Sequence, residues 1–426
     1  MKNIKLENYR CYELLPLSFK RKTTLLVGDN SSGKTTLIRA IRSVLSSFFI
    51  GYSDEHTRFV RFSDNDFTVK MTDSGTTNDK PIVVEFDLLG ISAILSRNSR
   101  KSERTLTTGL KPIIKYAKNL QETIFDNNHQ VKSLPLFAGF STEDIHSNSR
   151  FSMEPFKKYA HKPSFGYYEC LQGDGFFRYW IKRLLVLKEG GKGDVELYCV
   201  RQAIQNALGV NGCNIINDIE IRHNQGKVYY HFVDGREIDA DNLSDGYKRL
   251  VNIVTDLAFR CALLNQGIHG YESCLKTNGT VLIDEIDLHL HPTLQLVVIK
   301  SIQRAFPNLQ FIVTTHAPMV MTSVKSDEEN VIYMLSYSKE KGYEANSIDL
   351  YGRDASTIIK VDLDVIPRSK EVDDRLNTLF HFIDIDDYPH ASKILTDMKD
   401  EFGDNLPDLA KAQAMLNFLT DDNDKN

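Results

Sequence analysis

A glycine-rich loop near the amino terminus places the tightest constraint on this chain. Residues 27–36 read Val-Gly-Asp-Asn-Ser-Ser-Gly-Lys-Thr-Thr, which fits the phosphate-loop pattern G-x-x-x-x-G-K-[ST]. The apolar run Thr24–Val27 predicts a buried strand before the loop, and apolar residues at helical spacing predict a helix that begins near Lys34. A chance match in a Gly/Ser loop is the alternative, and these flanking elements argue against it. Because such a loop points backbone N–H groups and a helix N-terminus at an anion, we predict that it binds a nucleoside triphosphate.

The residues of this loop have separate expected roles. The Lys34 ammonium would reach the outer phosphates, and the Thr35 hydroxyl would complete the coordination of Mg²⁺. The residues expected to bind the nucleotide here are Asn30, Ser31, Ser32, Gly33, Lys34, Thr35 and Thr36.

The composition is that of an ordinary globular protein of 426 residues, which is enough for two or three structural units. No apolar run approaches the ~20 residues needed to span a bilayer. The first residues also lack the apolar segment of a signal peptide, so we expect a cytoplasmic protein. The six cysteines are scattered without a CxxC pair, which favours reduced core thiols over disulfides or zinc.

Charge is distributed unevenly along the chain. From Val361 onward there are 16 acidic and 7 basic residues, a balance of −9. Since the whole chain carries −5, the first 360 residues carry +4. A basic body suits a nucleic-acid contact and an acidic tail suits a basic protein partner. Ordinary solvated faces give the same small balance, and this is the preferred interpretation.

Two later strands end in candidate catalytic residues. The apolar run Thr280–Ile283 is followed by Asp284 and Glu285. The first carboxylate can hold Mg²⁺, and the second can orient and deprotonate the water that attacks the γ-phosphate. The run Phe311–Val313 leads to His316, which can donate a hydrogen bond to the γ-phosphate. Because ligands bind at the carboxyl ends of parallel strands, we expect these side chains to converge on the phosphate loop.

The order of these motifs resembles that of the ATP-binding-cassette (ABC) ATPases, in their SMC-like and OLD-like branch. Lys34 and Thr35 match the Walker A position, Asp284 and Glu285 match Walker B, and His316 matches the switch histidine. The other matching segments are the signature Ser244-Asp245-Gly246, the D-loop Leu288–Pro292, the stretch Asp256–Arg260 and the opening strand Asn8–Tyr12. The D-loop match also accounts for an H-x-H spacing at 289–291, which otherwise suggests a metal site without a third ligand.

The resemblance implies ATP and Mg²⁺ as cofactors and a site shared between two chains. Heads of this family dimerise head to tail, so the signature of one chain would cap the γ-phosphate bound by its partner. The roles implied are catalysis by Glu285 and His316, metal binding by Thr35 and Asp284, and nucleotide binding in trans by Ser244 and Gly246. Two departures are evident: the signature reads Ser-Asp-Gly-Tyr, and no glutamine fills the Q-loop place, for which Asp66 is a candidate.

The fold class expected is α/β: an ABC-type ATPase head with a mixed or parallel sheet, a mainly helical insertion and a helical C-terminal tail. Residues 1–87 would form the N-terminal part of the ATPase with Walker A, and residues 88–240 the insertion, closed by a hairpin. Residues 241–350 would carry the signature, Walker B and the switch histidine, and residues 351–426 an acidic region of three short helices.

The insertion lacks the heptads of a long coiled coil, which argues against a chromosome-structuring SMC protein. Asp362-Leu363-Asp364 and Asp384-Ile385-Asp386 resemble the Asp-x-Asp pair of the TOPRIM nuclease domain, but too few strands follow His316 to build that domain. The tail from Tyr351 is similar to that of the ATPase subunit of bacterial anti-phage systems. The Septu system, whose ATPase is partnered by an HNH nuclease, is the best match, and the ATPase of the PARIS system is a near alternative.

Two functional hypotheses follow. In the first, the chain is an oligomeric, nucleotide-gated regulator of an HNH-type nuclease on another chain. In the second, it is an autonomous ATP-dependent DNA-processing or repair protein whose phosphate contacts are Arg97–Arg104, Arg178, Lys182 and Arg183. A basic, Ser-rich loop is more often merely solvated, so we favour the first hypothesis and keep DNA as a further partner; no membrane contact is expected. An adjacent nuclease gene would discriminate between them.

Overall fold

A computed structural model describes residues 1–53, 58–68, 80–101, 104–141, 162–172, 177–191, 193–363, 366, 368–403 and 406–423. Contacts divide the chain into two compact units, Met1–Arg353 and Asp354–Asn426. None of the helices in these ranges is sufficiently long and apolar to cross a lipid bilayer. All six cysteines are free thiols, and five of them are buried.

The first unit combines strands and helices. Its strands are β1 (Asn3–Tyr9), β2 (Tyr12–Ser18), β3 (Thr23–Val27), β4 (Ile82–Leu88), β5 (Ile91–Arg97), β6 (Phe125–Asp126), β7 (His129–Gln130), β8 (Leu136–Phe140), β9 (Ile216–Arg222), β10 (Lys227–Phe232), β11 (Glu237–Asp239), β12 (Gly279–Ile283), β13 (Leu309–Thr314), β14 (Asn330–Ser338) and β15 (Gly342–Ile348). Its helices are α1 (Lys34–Ser46), α2 (Phe48–Gly51), α3 (Lys111–Thr123), α4 (Phe177–Gly190), α5 (Asp194–Leu208), α6 (Asp245–His269), α7 (Ser273–Lys276), α8 (Pro292–Gln295), α9 (Val298–Ala305) and α10 (Pro318–Met321).

A six-stranded mixed sheet forms the centre of this unit, in the order β15-β14-β3-β13-β12-β8. All its strands are parallel except β15, which pairs antiparallel with β14. The strands β3 and β13 are buried along their whole length because both faces of the sheet are covered, which is why they read as continuous apolar runs. Leu25 pairs with Val313, and Val313 with Ile283, so the carboxyl ends of β3, β13 and β12 lie side by side.

A second sheet, with the order β2-β1-β4-β5, is antiparallel throughout. The strand β3, predicted from the apolar run before the phosphate loop, follows β1 and β2 along the chain. The hairpin of β4 and β5 pairs Ile82 with Arg97 and Leu88 with Ile91, so it crosses the boundary expected at residue 87. The segment 88–240 also supplies β8, which pairs with β12 at the edge of the central sheet. This segment is therefore built into both sheets, because each of these strands needs a neighbour for its backbone hydrogen bonds.

Apart from the short pair β6–β7, the other described elements of residues 88–240 are mainly helices, and the segment ends in a three-stranded antiparallel meander where a hairpin was predicted. Helix α5 is followed by β9, β10 and β11, with turns that place Gly226 (φ 64°) and Gly235 (φ 87°) in the left-handed region. Phe176, the residue directly before α4, lies outside the described residues. The Trp180 indole of α4 donates to Asp256 of α6 (2.7 Å), and Arg260 donates to the same carboxylate (2.6 Å). This buried network fixes the insertion to the helix that follows the signature.

The second unit contains the three helices predicted for the tail. These are α12 (Lys370–Asp384), α13 (Tyr388–Phe402) and α14 (Pro407–Asn423), preceded by the single turn α11 (Ala355–Thr357). They enclose their own core of Leu376, Leu379, Ile383, Ala391, Leu395, Met398, Leu409, Ala412 and Leu416. Asp384 and Asp386 are exposed at the end of α12, and the described residues of this unit form no strand. This arrangement agrees with solvated helix ends rather than a TOPRIM nuclease site, while Asp364 lies outside the described residues.

Candidate functional site

The phosphate loop is held against two neighbouring strands by its glycines. A Cβ on Gly28 (φ 144°) would lie 2.2 Å from the Leu335 carbonyl oxygen of β14, and one on Gly33 (φ 97°) would lie 2.3 Å from the Tyr12 hydroxyl of β2. A side chain at either position would both clash and adopt an unfavourable φ. The loop therefore packs tightly and delivers the chain directly into α1, which begins at Lys34. The glycine loop and the helix N-terminus expected of a site for a nucleoside triphosphate are both present.

The Lys34 side chain is buried within this loop. Its ammonium donates to the carbonyl oxygens of Gly28 (2.9 Å) and Asp29 (2.8 Å) and to the Ser32 hydroxyl (3.3 Å). Burial lowers the pKa of Lys34 to about 8, against the opposing effect of nearby carboxylates. Those carboxylates belong to Asp284, Asp29, Glu285 and Asp287. The Walker A lysine and the Walker B acids therefore lie together, as the sequence predicted.

Thr314 connects the two Walker B acids to the end of β13. Its hydroxyl donates to Asp284 Oδ1 (2.5 Å) and accepts from the backbone N–H of Glu285 (2.7 Å). Asp284 is 2% exposed, and its own N–H donates to Phe140 of β8 (2.9 Å). Glu285 has a φ of 50°, in the left-handed region. Residues other than glycine adopt this strained conformation only where the surrounding structure stabilises it. The sequence alone predicted no role for Thr314, and its only indication was that Thr314 lies two residues before His316.

His316 follows β13 at the same edge of the sheet and is half-buried. The preceding Thr315 donates to Asp287 Oδ1 (2.5 Å), accepts from the N–H of Ala317 (3.0 Å), and donates its own N–H to Leu26 of β3 (3.2 Å). These bonds attach the loop that carries His316 to both the loop after β12 and the phosphate-loop strand.

The donor set at this edge fits Mg²⁺. The Thr35 side chain is exposed at the start of α1, and the second carboxylate oxygen of Asp284 accepts no hydrogen bond from the described residues. A hydroxyl and a carboxylate are the hard oxygen ligands that Mg²⁺ prefers beside phosphates. Asn30 and Ser31 are exposed along the same loop, and Thr36 is half-buried.

The residues predicted to form the signature lie at the start of α6, beside the D-loop. Ser244 is the N-cap of the 25-residue helix α6, is exposed, and makes no capping hydrogen bond with its side chain. Gly246 is buried because its backbone packs on the D-loop, where a Cβ would lie 2.3 Å from the His289 carbonyl oxygen. One turn further on, Arg249 donates to the carbonyl oxygen of Asp284 (2.6 Å), a link that the sequence did not reveal. Within the described ranges, no hydrogen bond joins Ser244 to the phosphate loop.

Asp66 does not fill the Q-loop role proposed for it. One of its carboxylate oxygens accepts from Arg10 Nε (2.6 Å), and the other accepts from the N–H (2.7 Å) and hydroxyl (2.9 Å) of Ser63. The residue closes a capping box on the short 3₁₀ turn Asp64–Asp66 and is 5% exposed. Its oxygens are therefore engaged in holding the β1–β2 turn.

Two of the basic residues proposed as phosphate contacts are also engaged within the protein. Arg97 was expected in a mobile loop, but it is the last residue of β5, is 5% exposed, and donates to the Phe62 carbonyl oxygen (3.0 Å) and Asp64 (2.5 Å). Arg183 makes two hydrogen bonds to Glu196, at 2.6 and 2.9 Å. In contrast, Arg178 and Lys182 are exposed on α4. The assignment is therefore wrong for Arg97 and Arg183, because burial beside a carboxylate outweighs their basic context in sequence.

The histidines of the D-loop form no metal cluster with other described residues. His291 is instead the N-cap of α8: its Nδ1 accepts from the Thr293 N–H (3.4 Å) and lies 2.9 Å from the Thr293 hydroxyl. The one cluster with metal-like spacing in the described ranges is Glu220, His231 and Glu237, on the exposed meander. The Arg222 guanidinium bonds both of its carboxylates, at 2.6 and 2.8 Å, so a protein cation already occupies that place.

Comparison with known proteins agrees with this geometry. A family model described as "AAA domain, putative AbiEii toxin, Type IV TA system" matches residues 23–322, a span that includes the phosphate loop, Walker B and His316. The chain belongs to this family, and it is an ATPase. The architecture expected from sequence, an α/β ATPase head with a mixed sheet and a helical C-terminal region, is confirmed.

Individual relatives extend the comparison. The "Retron Vc95 probable ATPase" of Vibrio cholerae serotype O1 biovar El Tor is 26% identical over 423 residues, which covers 87% of this chain and 81% of the relative. The Septu protein PtuA of Bacillus mycoides (strain KBAB4) is 32% identical over 106 residues, 25% of this chain and 14% of PtuA. The chain thus aligns with a small part of PtuA, and the resemblance expected to Septu ATPases is confirmed. The SMC head domain of Thermotoga maritima superposes with a TM-score of 0.41, at 13% identity, covering 82% of this chain and 98% of the head domain.

Proposed function

We propose that this chain hydrolyses ATP with Mg²⁺ at the edge of the central sheet and uses the cycle to control a partner nuclease. The observation that carries the catalytic part is the Thr314 hydroxyl, which holds Asp284 and the Glu285 backbone within 2.5 and 2.7 Å. Lys34 would bind the outer phosphates, Thr35 and Asp284 would hold Mg²⁺, and Glu285 would accept the proton of the attacking water. Bound Mg²⁺ neutralises charge that develops on the phosphates.

The catalytic site is completed by a second chain. Ser244 and Asp245 are exposed at the N-terminus of α6, and the adjoining Gly246 backbone is fixed by the D-loop. A helix N-terminus of this length presents unpaired N–H groups and a positive dipole end to an anion. In a head-to-tail dimer it would face the γ-phosphate bound by the partner. His316 then stabilises the γ-phosphate from its own side.

The partner proposed is an HNH-type nuclease in an anti-phage defence system of the bacterial cytoplasm. Support comes from two of the relatives, a retron ATPase and the Septu protein PtuA. The second unit supports it as well, because it has its own hydrophobic core and lies in the acidic part of the chain. An independently packed, acidic helical unit suits the docking of a basic partner surface.

Co-purification tests this proposal. The full chain, expressed with an HNH-type nuclease taken from its own genomic neighbourhood, should retain that nuclease on a size-exclusion column. A chain lacking Arg368–Asn426 should lose the nuclease but keep an ATP-induced rise in melting temperature. Trp180, the single tryptophan, reports the folding of the first unit in both forms. Nuclease retention by the truncated chain would refute docking through the tail. Nuclease activity that is the same with ATP, without ATP and with the Glu285→Gln chain would refute regulation.

A further inference from the structure

One face of the first unit carries cations without counter-ions. The residues of this basic surface are Arg61, Lys101, Arg104, Lys111, Lys115 and Lys118, and all six side chains are exposed. None of them forms an ion pair with a described residue. Some other lysines of the unit, such as Lys22, Lys227 and Lys276, pair with Glu329, Asp239 and Glu272.

The local sequence explains why these cations are unpaired. The described residues from Ile91 to Gln121 include seven basic residues and no acidic residue. Two of the seven, Arg97 and Arg100, turn inwards over the Phe67 ring, and Arg97 also pairs with Asp64. Asp64 is therefore used by a buried arginine, and Glu122, exposed just beyond this range at the end of α3, forms no ion pair with a described residue. The positive potential of the six exposed cations is therefore screened mainly by dissolved salt ions.

Three of the lysines lie along one stripe of helix α3. Lys111, Lys115 and Lys118 follow the i, i+4, i+7 spacing, opposite the buried stripe of Ile113 and Ala117. With a rise of about 1.5 Å per residue, the stripe extends for roughly 10 Å. Its first member stands at the first position of the helix, and the first turn contains no acid. A cation at the positive end of a helix dipole disfavours the folded helix, so this placement favours a role in binding an anion.

The stripe and the arginines belong to one continuous surface. The N–H of Phe62 donates to Thr105 Oγ1 (3.0 Å), which brings Arg61 close to Arg104. A Cβ on Gly109 would lie 2.4 Å from a carbonyl oxygen of β5, so the turn entering α3 rests on that strand. On its other side, α3 contacts α2, the short helix directly after α1.

We infer that this basic surface binds the phosphate backbone of a nucleic acid, independently of its sequence. Several unpaired cations on one face gain affinity by releasing the counterions condensed on a polyanion. Protein partners fit less well, since lysine is depleted in protein–protein interfaces and this surface has four lysines among its six cations. The inference does not depend on the proposed control of a nuclease. It places the nucleic-acid contact on α3 and on the exposed cations before it, rather than on the buried Arg97 and Arg183.

Fluorescence anisotropy with the full chain tests the inference. The probes are a labelled 30-base-pair DNA duplex, the corresponding single strand, and RNA of the same length, each titrated between 50 and 200 mM salt. The test variant is Lys111→Gln, Lys115→Gln, Lys118→Gln. The matched control is Lys188→Gln, Lys325→Gln, Lys339→Gln, which removes the same charge from exposed lysines elsewhere. All six positions are exposed, so both variants should fold and bind ATP like the native chain.

The test variant should bind at least one of the probes on the order of tenfold more weakly than the control does, and its salt slope should fall by about 1 for each lysine that contacts phosphate. The three probes distinguish duplex, single strand and RNA as the source of the backbone. Equal affinities of the two variants would overturn the inference. So would failure of the native chain to bind any probe at 50 mM salt, or binding to anionic lipid vesicles alone.

Discussion

Replacement of Lys34 by methionine separates the electrostatic cost of the phosphate loop from its function. Burial lowers the pKa of Lys34 from 10.5 to about 8. At about 1.4 kcal/mol per pKa unit, holding the charged form inside the loop costs roughly 3 kcal/mol of unfolding free energy at pH 7. The ammonium also makes three hydrogen bonds, each worth ~1 kcal/mol. These effects oppose each other, so Lys34→Met should change the unfolding free energy at pH 7 by less than ~2 kcal/mol.

The pH dependence of this difference carries the sharper prediction. An unfolded Lys34 keeps its proton up to pH 10.5, whereas the folded chain releases it near pH 8. The unfolded state thus binds more protons between these values, and the stability of the native chain rises with pH across that window. The methionine variant has no ionisable group at this position, so its stability lacks this pH-dependent contribution. The native chain should therefore gain up to ~3 kcal/mol relative to Lys34→Met between pH 8 and 10.5.

Urea unfolding followed by Trp180 fluorescence measures both forms, because this single tryptophan is buried in the first unit. Taking the difference between the two chains cancels every other group that titrates in the same range. A difference that stays flat from pH 7 to 10 would refute the argument from burial. ATP at 100 times its Kd should stabilise the native chain by about 2.7 kcal/mol and leave the variant unchanged. A variant that still responds to ATP would remove Lys34 from the binding site.

Two further substitutions test the Walker B geometry. Glu285→Gln keeps shape and hydrogen bonding but removes the base, so ATP should bind while turnover falls by about 10²–10⁴; turnover within about threefold of native would place the base elsewhere. Thr314→Val removes the hydroxyl between Asp284 and Glu285 and leaves a buried N–H without its acceptor, at a cost of ~1–3 kcal/mol. Thr314→Val should lower kcat and raise the Mg²⁺ concentration required for half-maximal activity, with ATP affinity nearly unchanged. Thr314→Ser, which keeps a hydroxyl, should restore kcat and the Mg²⁺ requirement. Equal kcat for the valine and serine variants would contradict the role of the hydroxyl.

Much of the site could be predicted because local patterns determine it. Strands β3, β12 and β13 are buried parallel strands, which appear in sequence as short apolar runs. Polar residues directly after such runs must meet at one edge of the sheet, so Lys34 and Asp284 could be placed together. The tail was equally predictable, since Pro389 and Pro407 stand in the first turns of α13 and α14.

The missed features depend on contacts between distant parts of the chain. Thr314 lies 30 residues from Asp284, and only the register of β12 on β13 brings its hydroxyl to that carboxylate. Arg249 meets the Asp284 carbonyl oxygen for a similar reason, through the packing of α6. Arg97 was misplaced because a Ser-rich, basic context is typical of loops, whereas its partners in three dimensions, Phe62 and Asp64, lie more than 30 residues earlier.

The proposed sharing of each ATP site between two chains is tested most directly by mixing two inactive variants. Lys34→Ala removes the phosphate ligand of its own site, and Ser244→Arg places bulk and charge on the exposed N-terminus of α6. Each variant alone should hydrolyse no ATP. A mixed dimer has one site with Lys34 from one chain and Ser244 from the other, so hydrolysis should return on mixing. If chains pair at random, about half of the dimers are mixed, and each has one intact site of two. The rate should then reach up to about a quarter of the native rate, provided that one intact site is sufficient. Native mass spectrometry of differently tagged chains verifies that mixed dimers form. Mixed dimers that remain inactive would contradict a shared, independently firing site.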